Sequence, residues 1–143
     1  MDVAQIIANR SGTDIITCDV TTQVSTAVQL LANKRIGALP VMRDGMLVGI
    51  FSERDVLYRL AEEGEICLSR SVGDIMTDTP ITIDPSTRVD EALGLMTRRR
   101  IRHLPVIENG ALLAFISIGD LVKSRIDEVE REAEAIRTYI QTA

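Results

Sequence analysis

The stretch IFSERDV at residues 50–56 decides the fold, because its pattern returns 65 positions later as FISIGDL at residues 115–121. The similarity extends on both sides: residues 16–59 align with residues 81–124 without a gap and are identical at 16 of 44 positions. An internal repeat is a primary signal of architecture. Two copies of this length do not make a solenoid, so the sequence predicts one pseudo-symmetric domain built from two half-domains.

The composition is that of an ordinary globular domain with an aliphatic core. The chain has 143 residues, of which 45% are hydrophobic and 3% are aromatic, and its net charge is −5. Lysine and arginine provide most of the affinity for nucleic-acid phosphates, and aromatic side chains stack on unpaired bases. The negative charge and the few aromatic residues therefore disfavour nucleic acid as a partner.

Neither the cysteines nor the N-terminus indicates an oxidising or membrane environment. Cys18 and Cys67 lack the further thiols that a disulfide framework or a zinc site would need. The N-terminus lacks a basic segment followed by a long apolar run, and no apolar stretch reaches the roughly 20 residues that span a bilayer. We therefore expect a cytoplasmic protein with reduced thiols and no contact with a membrane.

Hydrophobic spacing gives each half the order strand, helix, strand, strand, helix. In the first half these elements are predicted at 15–18, 24–34, 39–42, 47–51 and from Ser52 to Gly64. In the second half they are predicted at 81–83, 89–99, 103–107, 111–116 and from Ser117 onward. Asp44-Gly45 and Asn109-Gly110 predict the two hairpins, because these residue types accept the positive φ of tight turns.

Shorter segments complete the predicted organisation. Residues 2–9 have apolar residues at helical spacing and are followed by the helix-breaking pair Ser11-Gly12. Residues 65–71 are predicted to be a polar connector, and residues 72–76 a short helical turn. We therefore assign the N-terminal helix and the first repeat to residues 1–70, and the second repeat with the C-terminal helix to residues 71–143.

The last predicted helix continues beyond the repeat. Its apolar residues alternate spacings of four and three, and they are Val122, Ile126, Val129, Ala133, Ile136 and Ile140. This spacing is typical of the a/d seam of a helix that packs along another helix, and about 20 residues would extend roughly 30 Å. The seam fits either the chain's own domain or a second copy of the chain in a homodimer.

These features together resemble the cystathionine-β-synthase (CBS) domain pair. The resemblance covers residues 15–125 and rests on the Leu-Pro-Val strands at 39–41 and 104–106, the two hairpins, and the Ser-x-x-Asp that ends the third strand of each repeat. It implies an α/β (α+β) fold in which two β-α-β-β-α repeats pack sheet to sheet, and a module that pairs with a second one. It also implies a regulatory module, in which clefts between the repeats bind AMP, ADP, ATP, NAD(H) or S-adenosylmethionine and a conformational change is relayed to a partner protein.

The Ser-x-x-Asp motifs lie where a strand is predicted to end and a helix to begin. A carboxylate at this place suits a ribose diol, and the free amides of a helix N-terminus suit a phosphate. By similarity to the family, Asp55 and Asp120 hold ribose hydroxyls, and Ser52 and Ser117 lie beside the ribose or the phosphate. The alternative is that each motif only caps its helix, since Ser followed by an acid three residues later is also a capping pattern.

Two threonines are assigned to the same sites by the resemblance alone. Thr17 and Thr82 occupy matching positions of the first strand in each repeat. In the family these positions line the adenine pocket, so the resemblance implies that role for both.

The junction before the second strand differs most between the copies. Arg102 and His103 align with Gly37 and Ala38 in the first repeat. In the family this junction reaches the ligand whose ribose the other repeat holds. We therefore predict that Arg102 and His103 bind phosphate in the cleft that contains Asp55, together with Arg54.

The remaining residues near this junction are expected to matter less. The Asp120 cleft, flanked by Ile118 and Gly119, is predicted to favour phosphate less strongly. Arg98 and Arg99 continue the basic run and are expected to form a solvated helix face. His103 is the only histidine in the chain, which leaves it without a partner for metal ligation.

The leading hypothesis is therefore a regulatory nucleotide-binding module, not an enzyme. The sequence contains no readable nucleophile-base pair, metal cluster or glycine-rich phosphate loop, so we expect no catalytic or metal site and no catalytic cofactor. NAD is a candidate beside AMP, because a cleft with one phosphate-rich and one phosphate-poor end suits a dinucleotide. Two alternatives stay open: nucleic-acid binding through residues 98–103, and a purely structural dimerisation module.

Overall fold

The computed structural model describes residues 1–8 and 15–142. The helices are α1 (Val3–Ala8), α2 (Val24–Lys34), α3 (Glu53–Glu63), α4 (Val72–Ile75), α5 (Val89–Arg99) and α6 (Ile118–Thr142). The strands are β1 (Cys18–Asp19), β2 (Ala38–Arg43), β3 (Met46–Ser52), β4 (Thr77–Asp78), β5 (His103–Glu108) and β6 (Ala111–Ser117). A 3₁₀ helix, Gly64–Ser69, connects α3 to α4.

Both hairpins form as predicted, and their registers repeat each other 65 positions apart. Strand β2 pairs antiparallel with β3, and β5 pairs antiparallel with β6, each with a register shift at the same point of the repeat. The two central residues of each turn have positive φ, at 50° and 78° for Asp44-Gly45 and at 53° and 78° for Asn109-Gly110. This geometry matches the twist of the strands that the turn joins.

The two repeats are packed around separate aliphatic cores, and β3 of one sheet contacts β6 of the other. In the first core, α2 and α3 cover the sheet that contains the buried Phe51. In the second core, α5 and the start of α6 cover β5 and β6. The mixed α/β fold and its two packed repeats are therefore confirmed.

Helix α1 packs on the second repeat, although the sequence groups it with the first. Val3 is completely buried in the second core, with Ile6 and Ile7 packed against it. Asp2 pairs with Arg88, and the Val3 amide donates to the Thr87 carbonyl at 2.8 Å. Ser11-Gly12, the predicted end of this helix, lies outside the described residues.

Three predictions for the short segments are wrong. The strand predicted at 15–18 begins only at Cys18, where β1 pairs in parallel with β2. The segment 81–83 forms only a parallel bridge between Ile83 and Val106. The connector predicted at 65–71 is mainly the 3₁₀ helix, whose Cys67 is completely buried.

Strand β4 has no counterpart among the predicted elements, and it depends on a glycine. It pairs antiparallel with β3 at Gly49 and Ile50, which makes the first sheet four-stranded in the order β1-β2-β3-β4. A Cβ on Gly49 would lie 2.5 Å from Met76 Sδ and 2.8 Å from the Thr77 carbonyl oxygen. The absence of a side chain at Gly49 thus allows β4 to approach.

Helix α6 extends well beyond the domain. It has 25 residues, about 38 Å at 1.5 Å per residue, and only Leu121 is buried. The predicted seam residues are exposed or half-buried, so the seam does not pack on the chain's own domain. No helix in residues 1–8 or 15–142 combines the length and apolarity needed to cross a membrane.

Candidate functional site

Helix α3 begins in a capping box at the end of β3. The Ser52 side chain accepts from the Asp55 amide at 3.4 Å, and the Ser52 amide donates to Asp55 Oδ2 at 2.8 Å. Helix α6 begins in the same way: the Asp120 amide donates to Ser117 Oγ at 3.2 Å, and the Ser117 amide donates to Asp120 Oδ2 at 2.8 Å. Both Ser-x-x-Asp motifs therefore cap helices, whatever else they bind.

The Asp55 carboxylate has further partners within the protein. Its Oδ2 also accepts from the Ser52 hydroxyl at 3.1 Å, and its Oδ1 accepts from the Thr77 hydroxyl at 3.2 Å. A carboxylate offers about four acceptor sites, of which three are used here. A ribose diol with two hydroxyls would therefore compete with Ser52 or Thr77 for Asp55.

Asp55 lies in a cavity of about 310 Å³ between the two repeats, which we call the Asp55 cleft. The first repeat supplies Ser52, Asp55 and Arg54, and the second supplies Arg100, Arg102 and His103. Arg54 links the two sides directly, because its Nη1 donates to the Arg100 carbonyl at 3.1 Å. The predicted phosphate and ribose residues of this cleft are thus brought together across the repeat boundary.

The pseudo-symmetric cavity, which we call the Asp120 cleft, has a different wall. Its volume is about 470 Å³, and its described lining contains Ser117, Asp120 and His103 as its polar residues. The rest of the described lining is apolar, and includes Ile7, Ile15, Ile16, Ile36, Leu113 and Phe115. The arginines of the Asp55 cleft have no counterpart among these described residues.

His103 lines both clefts and is half-buried between them. Its ring stacks on Phe115, with 5.3 Å between the ring centroids and 11° between the planes. Burial lowers the pKa of His103, and Arg102 lowers it further, whereas Glu53 and Asp120 act in the opposite direction. The imidazole is therefore mainly neutral near pH 7 and can offer a phosphate one N–H donor.

The two threonines assigned to adenine pockets lie elsewhere. Among the described residues, Thr17 and Thr82 line neither cleft, and Thr82 faces a separate depression beside Asp84, Thr87 and Glu91. Their neighbours Ile16 and Ile81 line the Asp120 cleft and the Asp55 cleft, respectively. Ile15 also lines the Asp120 cleft and Pro80 the Asp55 cleft, so these segments reach the clefts through the residues that precede the threonines.

Several residues of the Asp55 cleft were not singled out by the sequence. The residues Glu53, Tyr58, Thr77, Thr79, Pro80 and Arg100 line it as well. Arg100 belongs to the basic run and could have been found there, whereas Thr77 reaches the site only because β4 pairs with β3. Arg98 and Arg99 are exposed on the last turn of α5 and line neither cleft.

The described residues contain no cluster of three or more histidine, cysteine, aspartate or glutamate side chains placed to hold a metal ion. The clefts instead present carboxylates and hydroxyls at helix starts, opposite the junction of the other repeat. Concave sites of this kind, with a few convergent polar groups, are the usual form of small-molecule pockets.

The comparisons with known proteins identify the family. The family model described as CBS domain matches residues 3–62 and 72–127, so the chain belongs to the CBS domain family, as a tandem pair. The chain is 39% identical over 129 residues to the mitochondrial CBS domain-containing protein CBSX3 of Arabidopsis thaliana. The match covers 87% of this chain and 63% of that relative's length.

Solved structures agree in fold. The CBS-domain containing protein ATU1752 of Agrobacterium tumefaciens superposes with a TM-score of 0.82 at 36% identity, covering 87% of this chain and 99% of the other. CBSX2 of Arabidopsis thaliana, in complex with AMP, superposes with a TM-score of 0.76 at 27% identity, covering 88% of this chain and 96% of the other. The expected membership of the CBS family is thus confirmed.

Proposed function

We propose that the chain is a regulatory module that binds an adenosine nucleotide in the Asp55 cleft and passes the binding state to a protein partner. The observation that carries the proposal is the convergence of Ser52 and Asp55 from one repeat with Arg102 and His103 from the other on one cavity. At about 310 Å³, the cavity lies at the small end of the range for ligand sites, which suits a mononucleotide such as AMP. The AMP complex of the related CBSX2 supports this ligand class.

In this proposal each side of the cleft has its own role. The Asp55 carboxylate accepts from the ribose hydroxyls, and Ser52 lies beside them. Arg54 and Arg102 face the phosphate as charged donors, which make the strongest hydrogen bonds to phosphate oxygens, and His103 adds one neutral N–H donor. Ile81 takes the place at the adenine that the sequence assigned to Thr82.

The Asp120 cleft is proposed to favour ligands with less negative charge. Its described lining offers a ribose-binding pair, Ser117 and Asp120, but the neutral His103 is its one basic group. An adenosine compound without a strongly charged phosphate therefore suits it better than ATP does. We also propose a cytoplasmic location, which the free, buried cysteines Cys18 and Cys67 support.

Calorimetric titration tests the proposal with a matched pair of variants. Protein stripped of carried-over nucleotide is titrated with AMP, ATP, NAD, NADH and S-adenosylmethionine. The same titrations are then repeated on the Asp55→Asn and Asp120→Asn variants. Both substitutions alter a helix cap and should cost similar stability, about 1 kcal/mol. Only Asp55→Asn should weaken AMP binding by a factor of about 10 or more, because it removes charged hydrogen bonds to the ribose.

Two results would reject the proposal. If folded, nucleotide-free protein gives no binding heat with any of these compounds, the motifs are helix caps only and the module is a structural one. If both variants bind AMP as the natural protein does, the nucleotide site lies elsewhere. A salt-dependent shift of labelled RNA instead would favour nucleic acid as the ligand.

A further inference from the structure

The seam of α6 is an apolar surface that nothing in the described structure covers. We call α6 seam the residues Val122, Ile126, Val129, Ala133, Ile136 and Ile140. Exposure along this seam reaches 52% at Ile126, 61% at Ile136 and 67% at Ile140. A continuous apolar stripe on a long exposed helix is typical of a helix-pairing surface.

The α6 seam is not the face by which α6 rests on its own domain. That face contains the buried Leu121 and the half-buried Ser124 and Glu128, and Ser124 Oγ lies 2.7 Å from Met1 Sδ. At about 100° per residue, the six seam residues fall within an arc of roughly 80°, centred roughly 130° from the domain-facing side. A partner can therefore cover the seam without displacing Leu121, Ser124 or Glu128 from the domain.

The charges beside the seam complement each other when two α6 helices run in parallel and in register. In that arrangement each g position faces the e position five residues further along the other helix. Arg125 then faces Glu130 of the partner subunit, and Glu132 faces Arg137 of the partner subunit. Both charged pairs are attractive, and the two-fold symmetry makes four such pairs. Within its own helix, Arg125 lies 3.4 Å from Glu128 and Arg137 lies 3.5 Å from Glu134, so each arginine would share its charge between two glutamates.

The antiparallel arrangement that covers the whole seam places like charges together. There e positions face e positions and g positions face g positions. Lys123 would face Arg137 of the partner subunit, and Glu130 and Glu132 would each face their own copies. Like charges at these positions oppose pairing and thereby select partner orientation.

We propose that α6 pairs through the α6 seam, in parallel and in register, with α6 of a second copy of the chain. The resulting two-stranded contact lies outside both clefts and does not depend on the nucleotide proposal. It decides between the two orientations in which a homodimer of this chain could form.

Disulfide trapping at the far end of the seam tests the orientation. In the parallel arrangement, Ile140→Cys places the two new thiols opposite each other, so mild oxidation should convert most of the protein to a covalent dimer. In the antiparallel arrangement the same thiols are about 27 Å apart, 18 residues at 1.5 Å, and Ile140 faces Val122 instead. A mixture of Val122→Cys and Ile140→Cys proteins would then form the crossed dimer.

The natural cysteines provide a clean background. Cys18 and Cys67 are buried, and burial raises the pKa of Cys18 to about 11, so its thiolate form is scarce. Natural protein should therefore remain uncrosslinked under the same oxidation. The proposal is overturned if Ile140→Cys yields no covalent dimer, or if the crossed Val122–Ile140 product dominates the mixture.

Charge reversal on the Ile140→Cys background tests what sets the orientation. Glu132→Lys should lower the yield of covalent dimer severalfold, and Glu132→Lys with Arg137→Glu should restore it by reversing the pair. Arg131→Glu, at an exposed position on the side of α6 opposite the seam, is the matched control and should leave the yield unchanged. Equal yields in all four proteins would show that the flanking charges do not select the parallel pair.

Discussion

The two clefts are built on the same plan but differ in charge. Each cleft contains a serine and an aspartate that cap a helix, and the hydrogen-bond lengths of the two caps agree within a few tenths of an ångström. The Asp55 cleft adds Arg100 and Arg102 from the opposite junction, whereas the aligned junction of the first repeat has Gly37 in place of Arg102. The elements shared by the two repeats thus fix where a ligand can lie. The junction that faces each cleft changes how much negative charge that ligand can carry.

The difference between the clefts can be abolished by making the junctions alike. Arg102→Gly with His103→Ala copies the first repeat onto the second and removes a cation and a donor from the Asp55 cleft. We expect AMP affinity to fall about 100-fold, since hydrogen bonds to charged groups contribute about 1.5–3 kcal/mol. Isothermal titration calorimetry measures the change.

The control for this substitution is Arg99→Ala, which removes an exposed arginine of the same run. It should leave AMP affinity nearly unchanged. Equal losses of AMP affinity in the two proteins would mean that Arg102 and His103 act only through the net charge of the surface. The proposed difference in phosphate binding between the two clefts would then be rejected.

A second contrast lies in the strands behind the clefts, where Gly49 aligns with Ala114. Gly49→Ala should destabilise the protein by about 2 kcal/mol, because its Cβ would overlap Met76 and the Thr77 carbonyl and displace β4 from the Asp55 cleft. Ala114→Gly should cost only about 1 kcal/mol, from added backbone freedom and one lost buried methyl. Urea denaturation measures both, and equal costs would contradict the close approach of β4.

The Thr77 hydroxyl competes with a ribose hydroxyl for the Asp55 carboxylate. Thr77→Val removes the 3.2 Å hydrogen bond to Asp55 Oδ1 and frees an acceptor for a ribose hydroxyl. AMP should bind roughly three- to tenfold more tightly, the equivalent of about one neutral hydrogen bond. Thr79→Val, which also alters the lining of this cleft, is the control and should not strengthen binding.

The smallest effect expected is a pH dependence of stability at His103. The folded-state pKa of His103 lies below its unfolded value of 6.5, because burial disfavours the charged ring. As the pH falls below about 6.5, the unfolded chain binds the proton first, so the free energy of unfolding decreases. Above that pH the residue contributes no such dependence.

Denaturation at pH 7.5 and at pH 5.5 should therefore show a larger decrease in the free energy of unfolding for the natural protein than for His103→Ala. Alanine is chosen because Ala38 occupies the aligned position of the first repeat. Bound AMP should reduce the loss, since a phosphate near the ring favours its protonated form. An identical loss in the two proteins would show that His103 is protonated as easily in the fold as in the unfolded chain.

The elements with strong local signals were predictable from the sequence. Helices α2 and α5 occupy the predicted residues 24–34 and 89–99, and both hairpins turn at their Asp-Gly and Asn-Gly pairs. Strands β1 and β4 are two residues long and are defined by the strand that they pair with, not by their own composition. Pairing of this kind is tertiary, so neither boundary could be inferred from residues 15–18 or 77–78 alone.

The site was predictable to the extent that it depends on the repeat. The capping motifs and the junction residues Arg102 and His103 line the clefts to which the resemblance to the family assigned them. Thr17 and Thr82 do not line the clefts, because the side that a residue of a short extended segment faces depends on packing. Thr77 required knowledge of β4, which itself depends on the missing side chain of Gly49.

The ring of His103 forms part of the wall of both clefts, and this has a thermodynamic consequence. A ligand that moves or charges the ring from one side changes the shape or potential of the other side. Any coupling free energy carried by this residue is reciprocal: the factor by which a ligand in the Asp55 cleft alters affinity in the Asp120 cleft equals the factor in the opposite direction. One imidazole would then make the two sites respond to the ratio of their ligands as well as to the amount of each.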